Sequence, residues 1–129
     1  WYVGSVLITP TILEVVETPT PGLSVGVPVR PIVAPFVPKN PIGMDVGSDG
    51  TVYYAELNLT VPDLGTGCGR VSMVKFDPAA GLVPLPPAVI RENLQFPDGI
   101  TVLDSGLFDV DFNALPDAPN FTPANCGAE

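Results

Sequence analysis

A chain of 129 residues is long enough to enclose one hydrophobic core, and an apolar fraction of 46% excludes a mainly disordered polymer. Charged residues are 15% of the chain, against about 25% in ordinary soluble domains. The net charge is −9, with only Arg30, Lys39, Arg70, Lys75 and Arg91 positive. That balance repels nucleic acid and anionic membrane surfaces, and no run approaches the roughly 18 apolar residues of a membrane-spanning helix.

In chain order, the first segment is Trp1 to Glu17. It is apolar and β-branched, and Pro10 divides it into two strand-length pieces. Proline cannot donate to a strand ladder, so at least one piece belongs at an edge or a bulge. A helix over Thr11 to Glu17 is the competing reading, and the β-branched content argues against it. Trp1 follows no Met or basic stretch, as a processed N-terminus would. Thr18 to Lys39 carries Pro19, Pro21, Pro28, Pro31, Pro35 and Pro38, with Val25, Val27, Val29, Ile32, Val33, Phe36 and Val37 between them. This composition reads as an extended, polyproline-like strap on protein surface, or as a docking linker within a longer chain. Residues 1–39 therefore form an apolar, Pro-rich extended arm, and residues 40–129 a β domain.

Pro41 to Asp77 is a meander of short apolar runs separated by breakers. Ser48-Asp49-Gly50 sits between two β-rich runs, where Gly can supply the positive φ of a tight hairpin. Val61 to Gly69 reads as an exposed excursion. Val71 to Phe76 is apolar on nearly both faces, as a strand packed on two sides should be. Pro84 to Asn93 is open between a helical turn and a strand. From Phe96 the pattern starts again, with Pro41 and Pro97 lying 56 positions apart. Self-similarity at such a period indicates repeated supersecondary units. Phe108, Val110 and Phe112 alternate with Asp109 and Asp111 as in a half-buried strand, and Ala114 to Glu129 reads as a loop-like tail.

These residues resemble a family. Pro-x-Gly-[Met/Ile]-x-Val, Ser-Asp-Gly, Val-Tyr-Tyr, Gly-Arg-Val-x-x-Val-x-Phe-Asp-Pro and Gln-Phe-Pro-Asp-Gly-Ile look like successive blades of a β-propeller. The nearest kinds are the NHL-type, streptogramin-lyase-like and gluconolactonase-like (SMP-30-like) propellers. The likeness covers about Asn40 to Phe112. It implies an all-β fold of blade-like antiparallel meanders, as a partial or assembled propeller; a β-sandwich is the alternative. A closed propeller needs several four-stranded blades, and one nearly complete blade and the start of another can be counted here. In gluconolactonase-like propellers a divalent cation sits on carboxylate and amide side chains at the axis. The resemblance puts Asp98 at one such position, while Ile42 occupies the matching place in the earlier repeat.

The chain has no histidine, so His-based triads and His metal sites are absent, and no catalytic residue is assigned. Asp109 and Asp111 alternate on one strand, and oxygen ligands of that kind would suit Ca²⁺, although a turn cap at Asp98 and a solvated face at Asp109 and Asp111 explain the same residues; no cofactor is expected. Tyr53, Tyr54, Trp1 and Tyr2 read as packing rather than a sugar platform. Cys68 and Cys126, the only cysteines, would form a disulfide that staples the tail. The sequons at Asn58 and Asn120 agree with an extracellular, glycosylated protein. Two functions compete. One is a secreted, non-enzymatic binding or assembly module, self-associating or docking through its arm, as an extracellular filament subunit would. The other is a fragment of a propeller hydrolase or lyase with a carboxylate-bound cation. With so few candidate ligands the first is preferred, with other protein chains as partners and the arm lying against a neighbour; an arm folded back onto its own domain is the rival.

Overall fold

The structure is a computed structural model describing residues 2–5, 10–15, 29–35, 37–58, 69–94, 97–104 and 107–112; for a few strand positions, Asp98 and residues 107–112 among them, it describes the backbone alone. The described residues are all β and contain no helix. Three strands come from the N-terminal segment: β1 (Tyr2–Ser5), β2 (Thr11–Val15) and β3 (Val29–Val33). They form an antiparallel sheet in the order β1-β2-β3. Next come β4 (Pro41–Val46), β5 (Val52–Glu56), β6 (Gly69–Val74) and β9 (Ala88–Leu94), an antiparallel sheet in the order β4-β5-β6-β9. A small hairpin, β7 (Phe76–Asp77) with β8 (Val83–Pro84), is inserted between β6 and β9. β10 (Pro97–Asp104) and β11 (Leu107–Phe112) form a last antiparallel pair.

The central sheet is covered on both faces, and alternation along β5 and β6 explains how. Val52 and Tyr54 of β5, with Val74 of β6, pack against Ile12, Ile32 and Val33 of the N-terminal sheet. Tyr53 and Val71 point the other way, to Ile100 of β10, with Met73, Ile90, Leu94 and Val102 around them. Period-2 side-chain direction sends neighbouring residues to opposite faces, so a strand apolar at every position has to be sandwiched. β5 is buried along its whole length.

The first hairpin follows from its turn residues. The Gly47 N–H donates to the Thr51 carbonyl at 2.9 Å, and the Gly50 N–H to the Gly47 carbonyl at 2.8 Å. Gly50 has φ 81°, a region open to glycine at no steric cost. The Asp49 carboxylate accepts from the Thr51 N–H and hydroxyl, both at 2.9 Å, which locks the turn.

The arm differs from its expectation. Its described residues pair as an antiparallel sheet and fold back on the central sheet of the same chain. The prolines permit this through their positions. Pro10 precedes β2, and Pro31 lies in the edge strand β3, beside a register shift that leaves Ile32 as an extra residue. Burying Ile12, Ile32 and Val33 contributes on the order of 5 kcal/mol as an upper estimate. That is comparable with the whole stability of a small domain, so these residues are integral to the fold. The segment left open between helical turn and strand is a strand, β9.

Candidate functional site

Two polar constellations emerge, one closed and one open. The closed one is centred on Glu56, the last residue of β5 and fully buried. Its register partner on β6 is Arg70. The guanidinium donates to both carboxylate oxygens, Nε to Oε1 and Nη2 to Oε2, each at 2.9 Å. The Ser72 hydroxyl donates to Oε1 at 2.5 Å, and the Lys39 backbone N–H donates to Oε2. Bonding to Glu56 raises the Arg70 guanidinium above its ordinary value. Beside it, burial chiefly, with the Glu56 charge, pushes the Tyr54 phenol well above its ordinary value. Among the described residues no buried side-chain polar atom lacks a partner. Glu56 and Ser72 are both closed to solvent, so this hydroxyl–carboxylate contact cannot meet a substrate. It tethers the connector before β4 to the central sheet.

The open constellation is a cleft of about 370 Å³ at the seam between the N-terminal and central sheets. Tyr2 of β1, Glu14 of β2 and Arg30 of β3 supply one wall; Asp49 in the first hairpin turn, with Lys75 and Phe76, supplies the other. Register explains the first wall, because Tyr2 pairs with Glu14 and Glu14 with Arg30 across the sheet. Glu14 and Arg30 form an ion pair through Oε2 and Nε. Arg30 Nη2 also donates to the Leu82 carbonyl at 3.1 Å, joining the arm to the β7–β8 hairpin. The Tyr2 and Phe76 rings stack with centroids 6.4 Å apart. Burial, then the Glu14 charge, raises the Tyr2 phenol above its ordinary value.

The residues singled out from sequence are not brought together into one site. Asp98 falls at the register shift between Pro97 and Gly99, while Asp109 and Asp111 occupy positions opposite Thr101 and Gly99. Their side chains lie outside the description. Among the described residues, no group of three or more His, Cys, Asp or Glu could hold a metal ion. Trp1, Cys68, Asn120 and Cys126 also lie outside the described residues. Asn58 is half-buried, with φ 52° and its N–H donating to the Lys39 carbonyl at 2.9 Å. Tyr53 and Tyr54 are core residues, whereas Tyr2 lines the cleft. Sequence reading missed Glu56, Arg70 and Ser72, although alternation from Val52 and Tyr54 puts Glu56 on an inward face. It also missed Glu14, Arg30 and Lys75, which only the fold assembles.

No family model matches the chain, and neither the curated proteins nor the solved structures give a match.

Proposed function

We propose that this chain is a secreted, non-enzymatic binding and assembly module, built from blade-like sheets of the propeller kind. It associates head to tail with further copies of itself through the open ends of its stack of sheets. Supporting the blade reading is the way first strands meet across sheets: the Asp45 carboxylate on β4 accepts the Val102 N–H of β10 at 2.8 Å. Asp45 and Val102 are separated by nearly the same interval as Pro41 and Pro97, so the link follows the sequence repeat. The extracellular setting, the Cys68–Cys126 disulfide and glycans at Asn58 or Asn120 belong to the same proposal.

The observation that carries the assembly is the outward face of the last sheet. Ile100 and Val102 turn to the core, while Leu103 is 71% exposed and Thr101 is also exposed. At the other end of the stack, Leu13 of β2 lies opposite Pro31 of β3 in register, one residue on from the inward-facing Ile12. Pro31 is exposed and Leu13 half-buried. Each sheet already packs face to face on the next, so a second copy adding its first sheet to Leu103 would repeat an existing step. Such heterologous contacts propagate as filaments unless they close into a ring. The arm need not be released for this, which matters because its inward residues belong to the core.

Light scattering across a concentration series tests the proposal. Self-association that Leu103→Lys and Leu13→Lys each weaken, with far-ultraviolet circular dichroism unchanged, is the expected result. A chain that stays monomeric at millimolar concentration sinks it.

A further inference from the structure

We infer that the cleft between the N-terminal and central sheets binds a neutral, hydroxyl-rich ligand of the saccharide class. The cleft's volume of about 370 Å³ falls at the lower end of small-molecule sites, which run from about 300 to 1,000 Å³. Its charged groups decide the class. Arg30 and Lys75 are balanced by Glu14 and Asp49. A phosphate or carboxylate would meet two acids, and a bare divalent cation would meet two cations. Arg30 and Glu14 are moreover paired with each other, which spends most of the field either could offer to a counter-ion. What persists is a surface with donors and acceptors side by side. A ligand hydroxyl both donates and accepts, so vicinal hydroxyls match that pattern where a simple ion does not.

The apolar part of the cleft agrees. Tyr2 and Phe76, stacked on one another, line it together with Pro78 and Leu82, and the C–H face of a sugar ring packs well on apolar groups of this kind. The rim is also built at some cost. Leu82 has φ 62°, a left-handed conformation that a leucine seldom adopts, and Arg30 holds its carbonyl there. The site lies within a single chain and does not depend on assembly.

The test is saturation-transfer and chemical-shift NMR on the full chain, with methyl β-D-glucopyranoside, cellobiose and maltose as probes, and glycine and inorganic phosphate as ionic comparators. At least one saccharide is expected to receive saturation and to shift the ring protons of Tyr2 or Phe76. Lys75 is exposed and makes no ion pair with any described residue, so Lys75→Ala should leave circular dichroism unchanged and weaken binding by up to about tenfold. Glu14→Gln, close in shape to the original side chain, should weaken it as well. No transfer to any of the three saccharides overturns the inference. So does tighter binding of glycine or phosphate, or saccharide binding that Lys75→Ala and Glu14→Gln both leave unchanged.

Discussion

Replacing Glu56 by alanine should be among the most damaging single changes to this fold. The wild-type carboxylate is fully buried and accepts four hydrogen bonds, two from Arg70 and one each from Ser72 and the Lys39 N–H. Truncation strands all of those donors. Removing one member of a buried pair costs about 3–5 kcal/mol, mainly because the other charge is left uncompensated. Arg70 keeps 25% side-chain exposure, so its guanidinium can recover some hydration, and the lower end of that range is the better figure for the ion pair alone. The buried Ser72 hydroxyl and the Lys39 N–H add about 1 kcal/mol each when unsatisfied, which brings the sum to roughly 5 kcal/mol. A domain of this size has about 5–15 kcal/mol in total. Urea denaturation followed by circular dichroism should therefore show Glu56→Ala at the margin of folding. Arg70→Met on the Glu56→Ala background should cost less than the sum of the two single changes. A Glu56→Ala protein within about 1 kcal/mol of wild type would refute the reasoning, because it would mean the donors find water or other partners at no cost.

Three further outcomes can be measured on the same material. A Cβ at Gly69 would collide with the Pro97 ring, reaching Cγ at 2.6 Å, and would meet the Glu56 carbonyl oxygen at 2.8 Å; Gly69→Ala should therefore cost at least about 2 kcal/mol in a urea melt. The Tyr54 phenol is raised by burial, so the folded protein holds its proton where the unfolded chain releases it. That stability is fully present below about pH 10 and is lost as pH rises beyond it, by about 1.4 kcal/mol per pH unit; Tyr54→Phe should flatten the alkaline slope in thermal melts. Leu82→Asn places a residue that tolerates left-handed backbone at φ 62° and should raise stability by roughly 0.5–1 kcal/mol, read as a higher urea midpoint.

What could be read from the sequence, and what could not, divides along one physical line: whether the deciding interaction is local. The hairpin at Ser48-Asp49-Gly50 was legible because one glycine supplies its positive φ and one aspartate locks it, all within four residues. The two-sided burial of β6 was legible because Val71 and Met73 alternate to one face while Val74 serves the other. The strand β9 was not. Its half-buried residues, Ile90 and Leu94, are four apart, and two register shifts in its pairing with β6 erase the period of two that would have marked a strand. The arm misled for a related reason. Six prolines between Thr18 and Lys39 announce that no helix forms, but they do not say that Pro31 sits on an edge beside a bulge, where a missing N–H is harmless. Glu56 and the cleft lie furthest from local reading. Pairing Glu56 with Arg70 requires the β5–β6 register, and the connection between those strands carries no motif that sets it. The cleft draws Tyr2, Glu14, Arg30, Asp49 and Lys75 from five separate stretches of chain. Each looks like an ordinary surface residue where it stands. Their chemistry depends on two sheets meeting, so a change that loosens that seam, such as Ile12→Ala in the core beneath it, should weaken ligand binding without touching a single group that lines the cleft.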